Sequence, residues 1–362
     1  MIPTAEARDT SLDFWRGVGV FLVLMHHFLF FHFSFLRDFV AAGASGTYDI
    51  VWQAGKIIFK VSELAGPLGV KIFFVVSGYI ITKLMLREEV QRGTLNVYAF
   101  YIRRIFRIVP AYAFYLLSIV MFVILNWISV APGDIGHAAS FLCNSGVDCG
   151  WFVSHTWTLG VEMQFYLFWP LLFILVPQRH RPLFLVGVIA LLLSLSANGI
   201  LLARGWIDNA LSLSCIALGA LYAASVQGRA VVERYGFFGI IIAVVAVGGF
   251  VVAGLHEPAR VIYHMSVPFI ILIVLFAVPR WDAFQSSWVF LTLSRVGLVS
   301  YSLYLWQEVF AAPTDLYLSS SPLQYSAVLV AITLFSYFFI ELPGIRLGKN
   351  ILARRAGSGS SS

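Results

Sequence analysis

The feature that most constrains this chain is a succession of apolar runs, each close to the length of a bilayer. A membrane-crossing helix needs roughly 20 predominantly apolar residues. Runs of that kind fall at about 12–33, 67–86, 108–128, 157–176, 183–203, 209–226, 236–254, 260–279, 294–312 and 323–343. In hydrocarbon each backbone N–H and C=O must be satisfied within its own segment, which makes helix the structure of such runs. The expected fold is therefore all-α: a polytopic integral membrane protein with about ten transmembrane helices. The composition agrees, because 60% of the residues are hydrophobic and 12% charged, against about 25% charged in soluble domains.

The net charge of +6 invites a nucleic-acid reading. Its distribution argues against one. With the N-terminus placed in the cytoplasm, alternation sends Arg8, Arg87, Arg92, Arg103, Arg104, Arg107, Arg179, Arg181, Arg229, Arg234, Arg280, Arg346, Lys349, Arg354 and Arg355 to the cytoplasmic side. Arg37, Lys56, Lys60, Lys71, Arg204 and Arg260 go to the outer side. This asymmetry is the positive-inside rule. It expects both termini in the cytoplasm and no nucleic-acid partner. A cleaved signal peptide, with Ala42–Ala44 as its cleavage site, fits less well: the first run is long and is interrupted by Arg16 and two histidines.

The segments outside the runs are short. The longest are the outer loop at 34–66, the cytoplasmic stretch 87–107 and the outer loop 129–156. None holds a soluble catalytic domain, so any chemistry belongs to the membrane bundle and these loops. Residues 351–362 read as a basic, then Gly/Ser-rich, flexible tail. Cys143 and Cys149 share the second outer loop. A disulfide on the oxidising side and two free thiols are equally open readings. No metal-ligand spacing of Cys or His occurs, so no metal is expected.

Ionisable residues within a membrane are costly and mark function by default. Arg16 and His27 are eleven residues apart, which at 100° per residue closes to within about 20° of three full turns. They share one helix face, with His27 roughly 16 Å deeper than Arg16. Snorkelling explains Arg16 alone, and an interhelical hydrogen bond explains His27 alone. A shared face weakens both explanations. Ser77 and Gly78 form a small pair within the second run. Close helix packing accounts for the pair better than a ligand passage does, though both readings stand. Arg103, Arg104 and Arg107 stand at i, i+1 and i+4 at the head of the third run. They are a topological anchor or, with Arg16, a phosphate-binding mouth. Glu162, Phe165, Tyr166 and Trp169 share a face of the fourth run. An aromatic belt explains the rings but not the carboxylate.

In order along the chain, these stretches are LDFWRGVGVFLVLMHH at 12–27, FFVVSGY at 73–79, YIRRIFRIVP at 101–110, WTLGVEMQFY at 157–166 and SYSLYLW at 300–306. Together they resemble the acyltransferase-3 family of membrane-bound O-acyltransferases, over essentially the whole chain and including the ten-span plan. Lys71, Met163, Gln307 and Gly19 depart from the family pattern. Gln307 stands where histidine is common, which argues against an essential role for that position.

The resemblance implies a transmembrane acyltransferase domain over 1–350. Its members move an acyl group, often acetyl, from cytoplasmic acyl-CoA to a hydroxyl of a sugar or lipid-linked glycan. On that reading, acyl-CoA (acetyl-CoA above all) is a donor substrate and no cofactor is permanently bound. The protein belongs in a bacterial inner membrane, among membrane lipid and polysaccharide-synthesis machinery. Arg16, Ser77, Gly78, Arg103, Arg104 and Arg107 would hold the donor. His27 would be the general base, and Glu162 would orient it or bind the acceptor. Tyr79, His155, Trp157, Tyr166 and Trp306 are candidates on the acceptor side. The rival readings are a glycan or lipid-linked sugar transporter without acyl transfer, and a non-catalytic relative.

Overall fold

The computed structural model describes residues 9–32, 49–147, 149–198, 204–232, scattered positions between 234 and 241, 257–277, 282–311 and 322–358. Every regular element among them is a helix. In order they are α1 (Thr10–His32), α2 (Asp49–Arg92), α3 (Val97–Ile124), α4 (Pro132–Ala139), α5 (Trp151–Ser154), α6 (Trp157–Leu175), α7 (Arg181–Asn198), α8 (Arg204–Ala224), α9 (Glu257–Ala277), α10 (Asp282–Gln285), α11 (Trp288–Phe310), α12 (Pro322–Phe335) and α13 (Leu342–Ser358). A π-helical turn, Ser336–Glu341, joins the last two.

Six helices among the described residues are long and apolar enough to cross a membrane. They are Val61–Arg92, Val97–Ile124, Trp151–Leu175, Gln178–Ser196, Trp288–Phe310 and Ser326–Arg355; Asn209–Ala224 and Val226–Gly236, bent by 99° at their junction, make a seventh only if the pair is counted as one span. Nine of the ten expected runs coincide with a helix, and the run at 236–254 lies largely outside the described residues. Helix α1 coincides with the first run but carries Asp13, Arg16, His26 and His27 within it. Those polar residues lower its apolar character and, as shown below, line the interior of the bundle.

The loops are shorter than the sequence suggests. Residues 49–66, expected in an outer loop, form the first part of α2. The stretch 87–107 is helical except at 93–96, where Gly93 takes a positive φ and the Asn96 side chain caps α3 by accepting from Ala99 N. Polar residues ended the apolar runs without ending the helices. The tail expected to be flexible from 351 is helical to Ser358, and 359–362 lie outside the described residues. The 129–156 loop carries α4, α5 and a Cys143–Cys149 disulfide, which closes the pairing left open in the sequence.

Three helix crossings hold the bundle together, and each is made backbone to backbone. A Cβ on Gly17 of α1 would stand 1.9 Å from Leu293 O of α11, and one on Gly297 would stand 1.7 Å from Asp13 O. At the next crossing, a Cβ on Gly69 of α2 would meet Gly19 O at 2.4 Å. At the third, Cβ atoms on Gly78 and Gly219 would meet Ile216 O at 1.9 Å and Val75 O at 2.0 Å, joining α2 to α8. Within a bilayer there is no hydrophobic drive between helices, so close contact between small residues is a main source of association. The Trp15 indole adds a bond to Leu275 O at 2.9 Å. At the far end of α2, the buried Arg181 guanidinium grips Glu89 bidentately at 2.6 and 2.7 Å and lies 3.6 Å over the Phe173 ring.

Gly297→Val should therefore force α1 and α11 apart. A loss of about 3 kcal/mol or more is expected from overpacking at a backbone contact. The check is the thermal midpoint and monodispersity of the protein in detergent, with Gly136→Val, whose added Cβ meets nothing within 4 Å, as the neutral control.

Candidate active site

Because α1 crosses α2 and α11 so closely, its polar side chains open into the bundle. Arg16 lines one cavity of about 530 Å³, and His27 lines a second of about 260 Å³. The separation read from helix geometry thus becomes two chambers served by one helix. Val70 and Tyr304 line both chambers and form the wall between them. The Tyr304 hydroxyl shares a 3.0 Å hydrogen bond with Thr158 and donates to His155 O at 3.1 Å, which fixes its ring in that wall.

The first chamber is cationic. Arg16, Lys83, Arg87, Arg104, Arg107 and Lys349 face it, against Asp9, Asp13 and Glu162. Four different helices supply these cations, and Arg16, Arg104 and Arg107 among them are ones the sequence already groups. Asp13, one turn before Arg16, lies 3.9 Å from its guanidinium. Arg104 stands over the rings of Phe100 and Tyr166 at 5.9 and 6.0 Å, and its buried Nε has no hydrogen-bond partner among the described residues. Deep in the chamber Ser77 and Tyr166 share a 2.6 Å hydrogen bond. Glu162 sits beside that pair, in the field of Arg16 and Arg104. Phe73, Phe74, Val76, Ile80 and Leu159 complete an apolar lining. Such a chamber suits a ligand with an anionic head and an uncharged arm.

The second chamber is built around imidazoles. Lys71, His26, His27, His155, Trp157 and Glu308 line it. His27 Nδ1 donates to Gln307 Oε1 at 2.5 Å, and its Nε2 stands 3.9 Å from Glu308 Oε1. His155 Nδ1 donates to Glu308 Oε2 at 2.8 Å. His26 Nδ1 donates to Ser62 O at 2.7 Å, so the two adjacent histidines of α1 are held by different helices.

Nine of the residues singled out in the sequence fall at one chamber or the other. Arg16, Ser77, Arg104, Arg107, Glu162 and Tyr166 gather at the first chamber, and His27, His155 and Trp157 at the second. Glu162 belongs with the arginines rather than with His27. Gly78 packs at the α2–α8 crossing against Ile216 and is not among the residues lining either chamber. Arg103 lies outside the first chamber and pairs with Glu88 at 2.8 Å across the 93–96 break. Tyr79 stacks edge-on against Phe276 at 4.7 Å, and Trp306 is buried against Tyr115 and Phe114. Gln307, set aside in the sequence, is the partner of His27. Glu308 was missed altogether, although an acid within an apolar run is itself the signal.

The structure defines a helical bundle of membrane type, with a cationic chamber and a histidine chamber adjoining inside it. Comparison with known proteins gives its family. The chain belongs to the acyltransferase domain family, whose match covers residues 9–341. Among similar proteins is the O-acetyltransferase OatA of Staphylococcus aureus strain NCTC 8325 / PS 47, 26% identical over 323 residues, or 77% of this chain and 52% of that protein. The O-acetyltransferase OatA of strain COL gives the same identity and coverage. This chain spans about half the length of these relatives. No solved structure matches it.

The first chamber can be tested without any assumption about chemistry. In a Cys215→Ala background, Ser77→Cys should react with a water-soluble thiol reagent, because Ser77 lines the chamber. Val75→Cys, on the same helix at a fully buried site, should react about tenfold more slowly or not at all. Labelling rates followed by mass spectrometry make the comparison.

Proposed function

We propose that this protein is a membrane-embedded O-acyltransferase, moving an acyl group, acetyl above all, from cytoplasmic acyl-CoA to a hydroxyl of a cell-surface or exported glycan. It works in a bacterial inner membrane, with about ten spans and both termini cytoplasmic. Membership of the acyltransferase domain family supports the reaction class. The names of the O-acetyltransferase relatives support acetyl as the group carried. The excess of arginine on one side supports the orientation.

The observation that carries this reading is that Arg16 and His27, on one face of α1, open into adjoining chambers divided by Val70 and Tyr304. Coenzyme A has a phosphate-rich nucleotide at one end and a thiol on a long uncharged arm at the other. Arg16, Arg104, Arg107, Lys83 and Lys349 suit the phosphates, Arg16, Arg104 and Arg107 through charge-assisted, bidentate contacts. The apolar lining suits the arm. The thioester then meets the acceptor hydroxyl beside His27, past Tyr304. His27 takes the hydroxyl proton as the oxygen attacks the thioester carbonyl, the C–S bond breaks, and the proton passes to the departing thiolate. Because Gln307 holds Nδ1–H, Nε2 is the nitrogen free of hydrogen that such a base requires.

Two expectations separate the chambers. In membrane vesicles supplied with radiolabelled acetyl-CoA, His27→Ala should lower transfer to the glycan fraction by about 10²-fold or more while acetyl-CoA binding persists. Arg104→Met should instead raise the KM for acetyl-CoA by about tenfold, the worth of one charge-assisted contact, whereas Arg103→Met should leave it near wild type. If His27→Ala retains full transfer, the proposal fails. If no labelled acetyl reaches any acceptor while a glycan still crosses the membrane, a transporter is the better account.

A further inference from the structure

The geometry around Glu308 points to a role that the sequence reading did not assign. We infer that Glu308 is a positioning residue for the proposed acyl transfer: a carboxylate anchored through one oxygen and aimed through the other at the imidazole that becomes charged. The inference rests on the proposed function and adds to it the source of the charge stabilisation.

One oxygen, Oε2, is fully engaged. It accepts from His155 Nδ1 at 2.8 Å and from the His155 backbone N–H at 3.4 Å, and it shares the one Ser154 hydroxyl hydrogen with Trp151 O, each 3.2 Å from Ser154 Oγ. The Trp151 indole donates to the Glu308 backbone carbonyl at 2.9 Å, which ties the same residue down from its other side. Glu308 and His155 are both buried, at 4% and 3% exposure. A buried carboxylate held by this many donors has little freedom to turn. Its second oxygen, Oε1, faces His27 Nε2 at 3.9 Å.

That distance is too long for a hydrogen bond. It is short for a charge interaction inside a bundle of low polarity. The gap leaves room for the acceptor oxygen to donate to Nε2 while lying beside Oε1. Gln307 and Glu308 are consecutive on α11 and act on opposite nitrogens of the same ring. Gln307 sets which nitrogen is the base, and Glu308 stabilises the cation formed when that nitrogen takes the proton. The arrangement divides between two residues what a single carboxylate does in a histidine–carboxylate pair.

His155 belongs to the same assembly. Its Nε2 is buried without a hydrogen-bond partner among the described residues, and its ring lies edge-on to Tyr115 and Tyr304, with centroids 5.5 Å away in each case. A ring enclosed in this way serves as a pillar for Glu308. Tyr304, which forms the wall between the chambers, is thereby coupled to the same carboxylate.

The experiment compares Glu308→Gln, His27→Ala and the double variant in membrane vesicles of the full chain supplied with radiolabelled acetyl-CoA. Glu308→Gln keeps the shape and removes the charge. Its kcat should fall about 10²-fold, with the KM for acetyl-CoA within about twofold of wild type. In the His27→Ala background it should cost nothing more, because there is no imidazolium left to stabilise. Multiplicative losses, or a kcat near wild type, would overturn the inference while leaving His27 as the base. A fully active His27→Ala would instead remove the proposed function beneath it. Should Glu308→Gln fail to fold, Ser154→Ala gives the reading, since it deletes one bond to Oε2. Its kcat should drop about tenfold at unchanged KM, and unchanged kcat would overturn the inference.

Discussion

The structure depends on the contact of α1 with its neighbours through bare backbone. Gly17 and Gly297 bring α1 against α11, and Gly19 and Gly69 bring it against α2. Larger residues at these points would hold the helices apart and leave Arg16 and His27 facing lipid or each other's backbones. With glycine there, the polar face of α1 becomes an inner wall. The cost of placing ionisable groups within the bilayer is offset because those groups face one another and the chambers between them.

From this arrangement follows a separation of charge along one helix. Near the start of α1 the lining is dominated by guanidinium and ammonium groups from four helices. Past the wall of Val70 and Tyr304 it is dominated by imidazoles and one anchored carboxylate. The first environment favours a polyanion, and the second favours proton transfer. The proposed donor, acyl-CoA, is long, anionic at one end and reactive at the other, and so would span both. Glu162 and Glu308 mark the two environments: one sits in the field of arginines, the other is shared by histidines.

Much of this was legible in the sequence, and the reasons are physical. Apolar run length reports helices directly, so nine expected runs coincide with helices. The period of 3.6 residues placed Arg16 and His27 on one face, and the structure carries that face inward. What the sequence could not convey was which residues meet across helices. Ser77 and Gly78 are neighbours in the chain, yet Ser77 bonds Tyr166 in a chamber while Gly78 is pressed against Ile216. Arg103 and Arg104 are likewise adjacent, and a rotation of 100° sends one to Glu88 and the other to the chamber. At Gln307 the departure from the family's histidine argued against an essential role, and the structure shows its side-chain oxygen bonded to His27. The ends of apolar runs were also poor guides to helix ends, because α2 continues through polar residues from Asp49.

The central claim is that one ligand occupies both chambers, with its phosphates among the arginines and its thiol end beside His27. An experimental structure with a non-hydrolysable acetyl-CoA analogue tests it most directly. The account predicts the nucleotide phosphates against Arg16, Arg104 and Arg107, and the acetyl carbon within hydrogen-bonding range of a hydroxyl held by His27. An analogue bound elsewhere, or one whose arm stops short of Tyr304, would contradict it.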